Sequence, residues 1–251
     1  MSELEMRGEQ LIGDIEKARK LAIWGLFIAI VLFVLFEALR GEYFWSKIKC
    51  EGNLWNYGSS LIYFTAAEMA IVNAVLFAYY GRFASDGRRS WIWALWAVVG
   101  AAFIFFACDE MLEVHEKVGL AIERAVPTLK RCYAGRADNL IIAGYAVGAV
   151  LFGFAFLRRM ATGREARAYF ISGFVAITLA SGLDVIPRGF YLRYLPFRET
   201  EELLEVLAGF LFAAAFISSA AVMLAKILRG CIPSSDSAAV SVEGSGIGTR
   251  A

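Results

Sequence analysis

The chain has 251 residues, of which 59% are hydrophobic and 20% charged, with a formal net charge of +1. A mean hydropathy of +0.58 is more than a soluble core requires, and long apolar stretches in such a chain indicate membrane spans. The near-neutral balance gives no sign of a nucleic-acid partner, four cysteines are too few for a disulfide scaffold, and a single histidine, His115, limits metal chemistry more than any other count.

In chain order, six apolar segments are long enough to cross roughly 30 Å of hydrocarbon at about 1.5 Å per residue. They lie near residues 21–39, 59–80, 91–112, 139–157, 168–186 and 203–228. Lipid offers no partner for backbone N–H and C=O groups, so each span is expected to be helical, and no strand pattern competes. The first span is too long for a signal-peptide core and reads as an uncleaved anchor. The expected fold is all-α, an integral membrane bundle of six transmembrane helices over residues 1–230. A disordered tail, rich in Ser, Gly and Ala, follows over 231–251.

Two short connections are strongly basic. One carries Arg82, Arg88 and Arg89, the other Arg158, Arg159, Arg164 and Arg167. Basic residues in short loops remain cytoplasmic, and Lys17, Arg19, Lys20, Lys226 and Arg229 agree. Both termini are therefore expected inside a plasma (inner) membrane. Trp45, Trp55 and Tyr57 then fall at the outer interface, and Tyr79, Tyr80, Trp91 and Trp93 at the inner one, as ordinary anchors. Cys50 and Cys132 occupy two different outer loops, where an oxidising compartment allows a disulfide if their Cα atoms approach within about 7 Å.

With this topology the acids gather in the outer half. Glu37 closes the first span. Asp109, Glu110, Glu113 and Glu116 line the end of the third, Asp138 begins the fourth, Asp184 lies late in the fifth, and Glu201, Glu202 and Glu205 open the sixth. Glu68 sits near the middle of the second. At about 100° per residue along one continuous helix, Asp109, Glu113 and Glu116 share a face and His115 points away from it. Glu201 and Glu205 continue into Gly209 and Ala213, and Asp184 continues Gly173, Ala176 and Ala180. Small residues at four-residue spacing let helices approach closely, so both stripes are expected to face the bundle interior, and Gly144 and Gly148 are read as a packing step.

An ionised acid at the bilayer centre costs roughly 2.5–3.5 kcal/mol on insertion scales. A cluster of them must be protonated, hydrated, paired or bound to a cation. Asp109, Glu113, Glu205 and Asp184 are the candidate metal ligands, with Glu68, His115, Glu116, Glu201 and Glu202 as a proton or substrate path. The bland alternative makes these ordinary helix-end charges, with Thr200 as an N-cap, Arg188 paired to Asp184 and Arg198 to the sixth-span acids.

The run Asp109-Glu110-x4-His115-Glu116, with Glu201-Glu202-x2-Glu205 opening the last span, resembles a pattern of uncharacterised prokaryotic multi-pass membrane proteins. That resemblance implies no activity. A comparison with alkaline-ceramidase-like hydrolases fails for want of histidines, and one with microbial rhodopsins for want of a mid-helix lysine in the last span. Three readings follow. One is an outward-facing carboxylate site for a hard cation, a divalent metal ion or a proton, used in transport or sensing. The second is a non-catalytic membrane subunit or scaffold. The third is a metal-dependent hydrolase or transferase acting on a lipid, with Asp109, Glu113 and Glu205 on the metal and His115 or Glu116 as base.

Overall fold

A computed structural model describes residues 3–39, 54–83, 91–126, 162–185 and 197–231, with residue 160 and parts of 141–157. Six helices are complete among them: α1 (Glu3–Leu39), α2 (Leu54–Phe83), α3 (Ile92–Leu112), α4 (Val114–Ala125), α5 (Arg164–Val185) and α6 (Phe197–Cys231). Five of these, all except α4, are long and apolar enough to cross a membrane. The described residues are helical wherever they form regular structure, as lipid requires. The fourth predicted span, 139–157, is described only in part, and the described residues within it are helical. Cys50, Cys132, Arg188 and residues 232–251 lie outside the described residues.

α6 is the axis of the bundle. Its most apolar window is 72% buried, whereas that of α1 is 11% buried. The composition of α6 explains this. Ala208, Gly209, Ala213, Ala214, Ala215, Ser218 and Ser219 are all buried and keep the helix thin. α2 offers Ala66, Ala67 and Ala70 in return. Small residues let backbones approach and gain dispersion contacts, the principal attraction between helices where lipid is as apolar as the core. A Cβ at Gly209 would stand 2.8 Å from Ile62 Cγ2 and 3.2 Å from Tyr63 Cε1.

Aromatic rings fill the space between α2, α3 and α6. Phe103 and Trp96 each meet Phe216 edge-on at a centroid separation of 5.3 Å, and Phe103 meets Phe212 at 5.4 Å. Asn73 is fully buried here and donates through Nδ2 to the carbonyls of Met69 and Phe216. α5 packs on the far side of α6, where Gly173, Ala176 and Ala180 are buried. Both small-residue stripes thus face the interior as expected. Gly144 and Gly148 do not behave as a packing step. Both are exposed, with open space where a Cβ would stand.

α1 runs well past the first predicted span. Its 37 residues extend about 55 Å, more than a bilayer's hydrocarbon can cover. Near its last turns Phe33 packs against Gly58 of α2, and Ile30, Phe33 and Val34 close over Ile62 and Val206. Near its middle the guanidinium of Arg19, 8% exposed, reaches Glu165 at the start of α5 and Ser218 of α6. The bundle therefore has two polar ends, one at Arg19–Glu165 and the other where α2 and α6 begin and α3 ends.

Candidate functional site

The second polar end is built around a break in the helix that follows α3. Glu113 adopts φ 51°, ψ 43°, the left-handed conformation. A side chain in that region crowds the following carbonyl, which is why glycine is its usual occupant. α3 therefore ends at Leu112 and α4 starts again at Val114 in a new direction. The join is stitched on both sides. The Glu113 N–H donates to the Asp109 carbonyl, the Lys117 ammonium donates to the Leu112 carbonyl at 2.6 Å, and the Lys117 N–H donates to the Glu113 carbonyl.

Asp109 holds the join. Its Oδ1 accepts the backbone N–H of His115 at 2.8 Å, and its Oδ2 lies 2.9 Å from the imidazole Nδ1 of the same residue. The first N–H groups of a helix have no intrahelical partner and carry the positive end of its dipole. Glu113, at the N-cap position of α4, makes no side-chain cap. Asp109, from the preceding helix, takes that role while buried to 3% exposure. The direction expected of His115 on a continuous helix is thereby overturned. The turn at Glu113 swings the imidazole back onto Asp109.

The imidazole side chain is 20% exposed and the carboxylate beneath it 4%. The hydrogen bond to Asp109 raises the His115 pKa above its ordinary value of 6.5, against a desolvation that lowers it, and the charges of Asp109, Glu110 and Glu116 add to the rise. The pair thus sets a partly accessible imidazole against a buried carboxylate.

Around it stand groups from three other elements. The Ser59 hydroxyl of α2 donates to Glu110 Oε2, and the Tyr63 hydroxyl donates to the Glu205 carbonyl of α6, both at a long 3.5 Å. Tyr145, from the fourth predicted span, packs edge-on against Phe105 and Phe106. Ser59, Tyr63 and Tyr145 are site residues that the acid pattern missed. Ser59 and Tyr63 were legible as two polar groups four residues apart on one face of an apolar span.

The other candidates divide. Glu205, Glu201 and Glu202 are half-buried at the start of α6, on the same end of the bundle. Glu113 is the hinge residue itself, and Glu116 is exposed on α4. Glu68, expected on the proton or substrate path, lies near the middle of α2 and not at this end. It is exposed on the side of α2 away from α3 and α6. The side chains of Asp184 and Glu37 lie outside the described residues. Among the described residues no three His, Cys, Asp or Glu side chains are close enough to hold a metal ion together.

A protein-family model described as "Domain of unknown function (DUF8692)" matches residues 24–220, from α1 through most of α6. No curated protein and no solved structure matches the chain.

Proposed function

Since the chain belongs to the DUF8692 family, whose description assigns no activity, we propose a function from the site itself. The protein is a multi-pass protein of the plasma (inner) membrane, with six spans and both termini cytoplasmic. It binds a cation at the outward-facing end of the bundle for transport or sensing. The observation that carries this is the Asp109–His115 pair, a buried carboxylate whose imidazole partner remains partly open to water.

That geometry favours a proton over a metal ion. His115 takes a proton from outside water at its exposed edge and holds it against Asp109 Oδ2. Glu110, beside Asp109 on α3 and hydrogen-bonded by Ser59, is the next acceptor. Intramembrane acids and histidines in series are the usual form of a proton relay. The metal set of Asp109, Glu113, Glu205 and Asp184 receives no support from the described residues, and so the lipid hydrolase built on it receives none.

The test is proton flux in proteoliposomes holding a pH-sensitive dye. Wild-type protein is expected to dissipate an imposed gradient faster than empty liposomes, and Asp109→Asn and His115→Gln to abolish the difference. Metal analysis of the purified protein, with Glu205→Gln as control, decides the metal arm. A scaffold reading has its own support in the capping of α4 by Asp109. It is favoured if flux is absent while Asp109→Asn still lowers the melting temperature.

A further inference from the structure

We propose that the outward face of α2 is a self-association surface, and that Glu68 of one copy meets Glu68 of a second across a two-fold axis within the membrane. This does not rest on the proton reading and concerns the opposite side of α2.

The face is defined by spacing. Leu61, Thr65, Glu68, Val72, Val75 and Tyr79 follow one another at intervals of four, three, four, three and four residues. That alternation keeps one seam of a helix turned toward a partner helix. Leu61, Val72 and Val75 are 69%, 42% and 63% exposed, and Glu68 is exposed among them. The opposite face of α2, with Ala66, Ala70, Asn73 and Phe77 buried, packs against α3 and α6. The described part of the fourth predicted span packs elsewhere, through Tyr145 on α3 and Gly153 on α5.

Apolar residues on such a face need no partner but lipid. Glu68 does. It lies at the middle of the candidate span Tyr57–Gly81, about 16 Å from its start. No described residue gives it a hydrogen bond or an ion pair. A carboxyl group turned into hydrocarbon is strongly disfavoured, and polar side chains inside spans accordingly face protein or water.

The occupant follows from chemistry. A basic partner is not available within the chain's own bundle, because the six predicted spans hold no lysine or arginine except Lys226, near the end of the last. A carboxyl group is self-complementary. Two of them sharing protons donate and accept at once, and a two-fold axis brings identical residues together. Thr65, one turn from Glu68, has its hydroxyl turned back onto the Leu61 carbonyl at 3.0 Å, which leaves the seam smooth for close approach.

The experiment is oligomer counting by single-molecule photobleaching of the full-length protein in bilayers, at dilutions where random co-capture is negligible. Wild type is expected to be predominantly dimeric. Glu68→Gln, whose amide also pairs with its own copy, should remain so, and Glu68→Leu, apolar and of similar length, should lower the dimer fraction at least tenfold. In parallel, Val72→Cys should form a disulfide-linked dimer on oxidation beyond the parent chain's background, and Val98→Cys, equally apolar and exposed on α3, should not. A monomeric wild type, a Glu68→Leu protein as dimeric as wild type, or cross-linking at Val98 in place of Val72 would each overturn the proposal.

Discussion

The carboxylate of Asp109 binds both the backbone N–H and the ring of His115, so a single side chain caps α4 and sets the proton affinity of the chain's one imidazole. Two functions on one group make separable predictions.

Having only one histidine makes its titration directly observable, for example by ring-labelled NMR in detergent. The His115 pKa is expected above 6.5, because the bond to Asp109 favours the charged ring. Its folded value being raised, His115 contributes stability that is fully present below about pH 6.5, the unfolded value. That contribution is lost as pH rises through the folded value. Asp109→Asn should bring the titration down to or below the ordinary value and flatten this part of the stability profile. An unchanged His115 titration in that variant would show that Asp109 is not its partner.

Glu113 makes a second prediction from backbone geometry alone. A left-handed residue with a Cβ costs roughly 1–2 kcal/mol, so Glu113→Gly should match or exceed wild-type stability. Glu113→Ile should lose about 1–3 kcal/mol, since a β-branched chain fits that conformation worst. Thermal unfolding in one detergent, with both variants side by side, measures the difference. A continuous helix through this point would reverse the order, because glycine is the poorer residue in a helix interior.

That hinge also marks where the sequence ceased to be readable. Apolar length and the lipid's refusal of unpaired backbone made the helices legible, and the stripes of Gly173, Ala176, Ala180, Gly209 and Ala213 were correctly turned inward. The join at 113 carries no glycine or proline to announce it, and helical phase continued through it turns His115 away from Asp109, where the hinge turns it back. Glu68 is a different case. Depth along a span follows from counting residues, but the side a residue faces depends on which neighbours pack, and Ala66, Ala67 and Ala70 decide that for α2.

Close approach at Gly209 predicts a steep local penalty. Its missing Cβ would stand 2.8 Å from Ile62 Cγ2, closer than van der Waals contact allows. Gly209→Ala should cost about 1–3 kcal/mol as an overpacked core site. At Gly25 of α1 nothing lies within 4 Å, and the same change should gain up to about 1 kcal/mol from helix propensity. Opposite signs for one chemical substitution, read from melting temperatures, would confirm that α2 and α6 pack at this distance.

Arg19 supplies the last prediction, at the other end of the molecule. α1 buries little, and its Arg19 side chain is 7% exposed, tied to Glu16 on its own helix, to Glu165 of α5 and to the Ser218 hydroxyl of α6 at 3.2 Å. The guanidinium suits this because its planar fork serves several acceptors in fixed directions. The two carboxylates differ from it in environment, Glu16 being 47% exposed and Glu165 63%. Removing Glu165 leaves the guanidinium paired to Glu16, and an exposed partner is screened by solvent, so Glu165→Gln should cost under about 1 kcal/mol. Arg19→Met keeps the apolar stem but takes the guanidinium from Ser218 and Glu165 and leaves Glu16 only Lys20, and should cost about 1–3 kcal/mol. The loss should be local. Hydrogen exchange is expected to rise across the first half of α1 in Arg19→Met while the core around Trp96 and Phe216 stays protected. Uniform exchange across all helices would mean that Arg19 supports the whole bundle instead of fastening α1 to it.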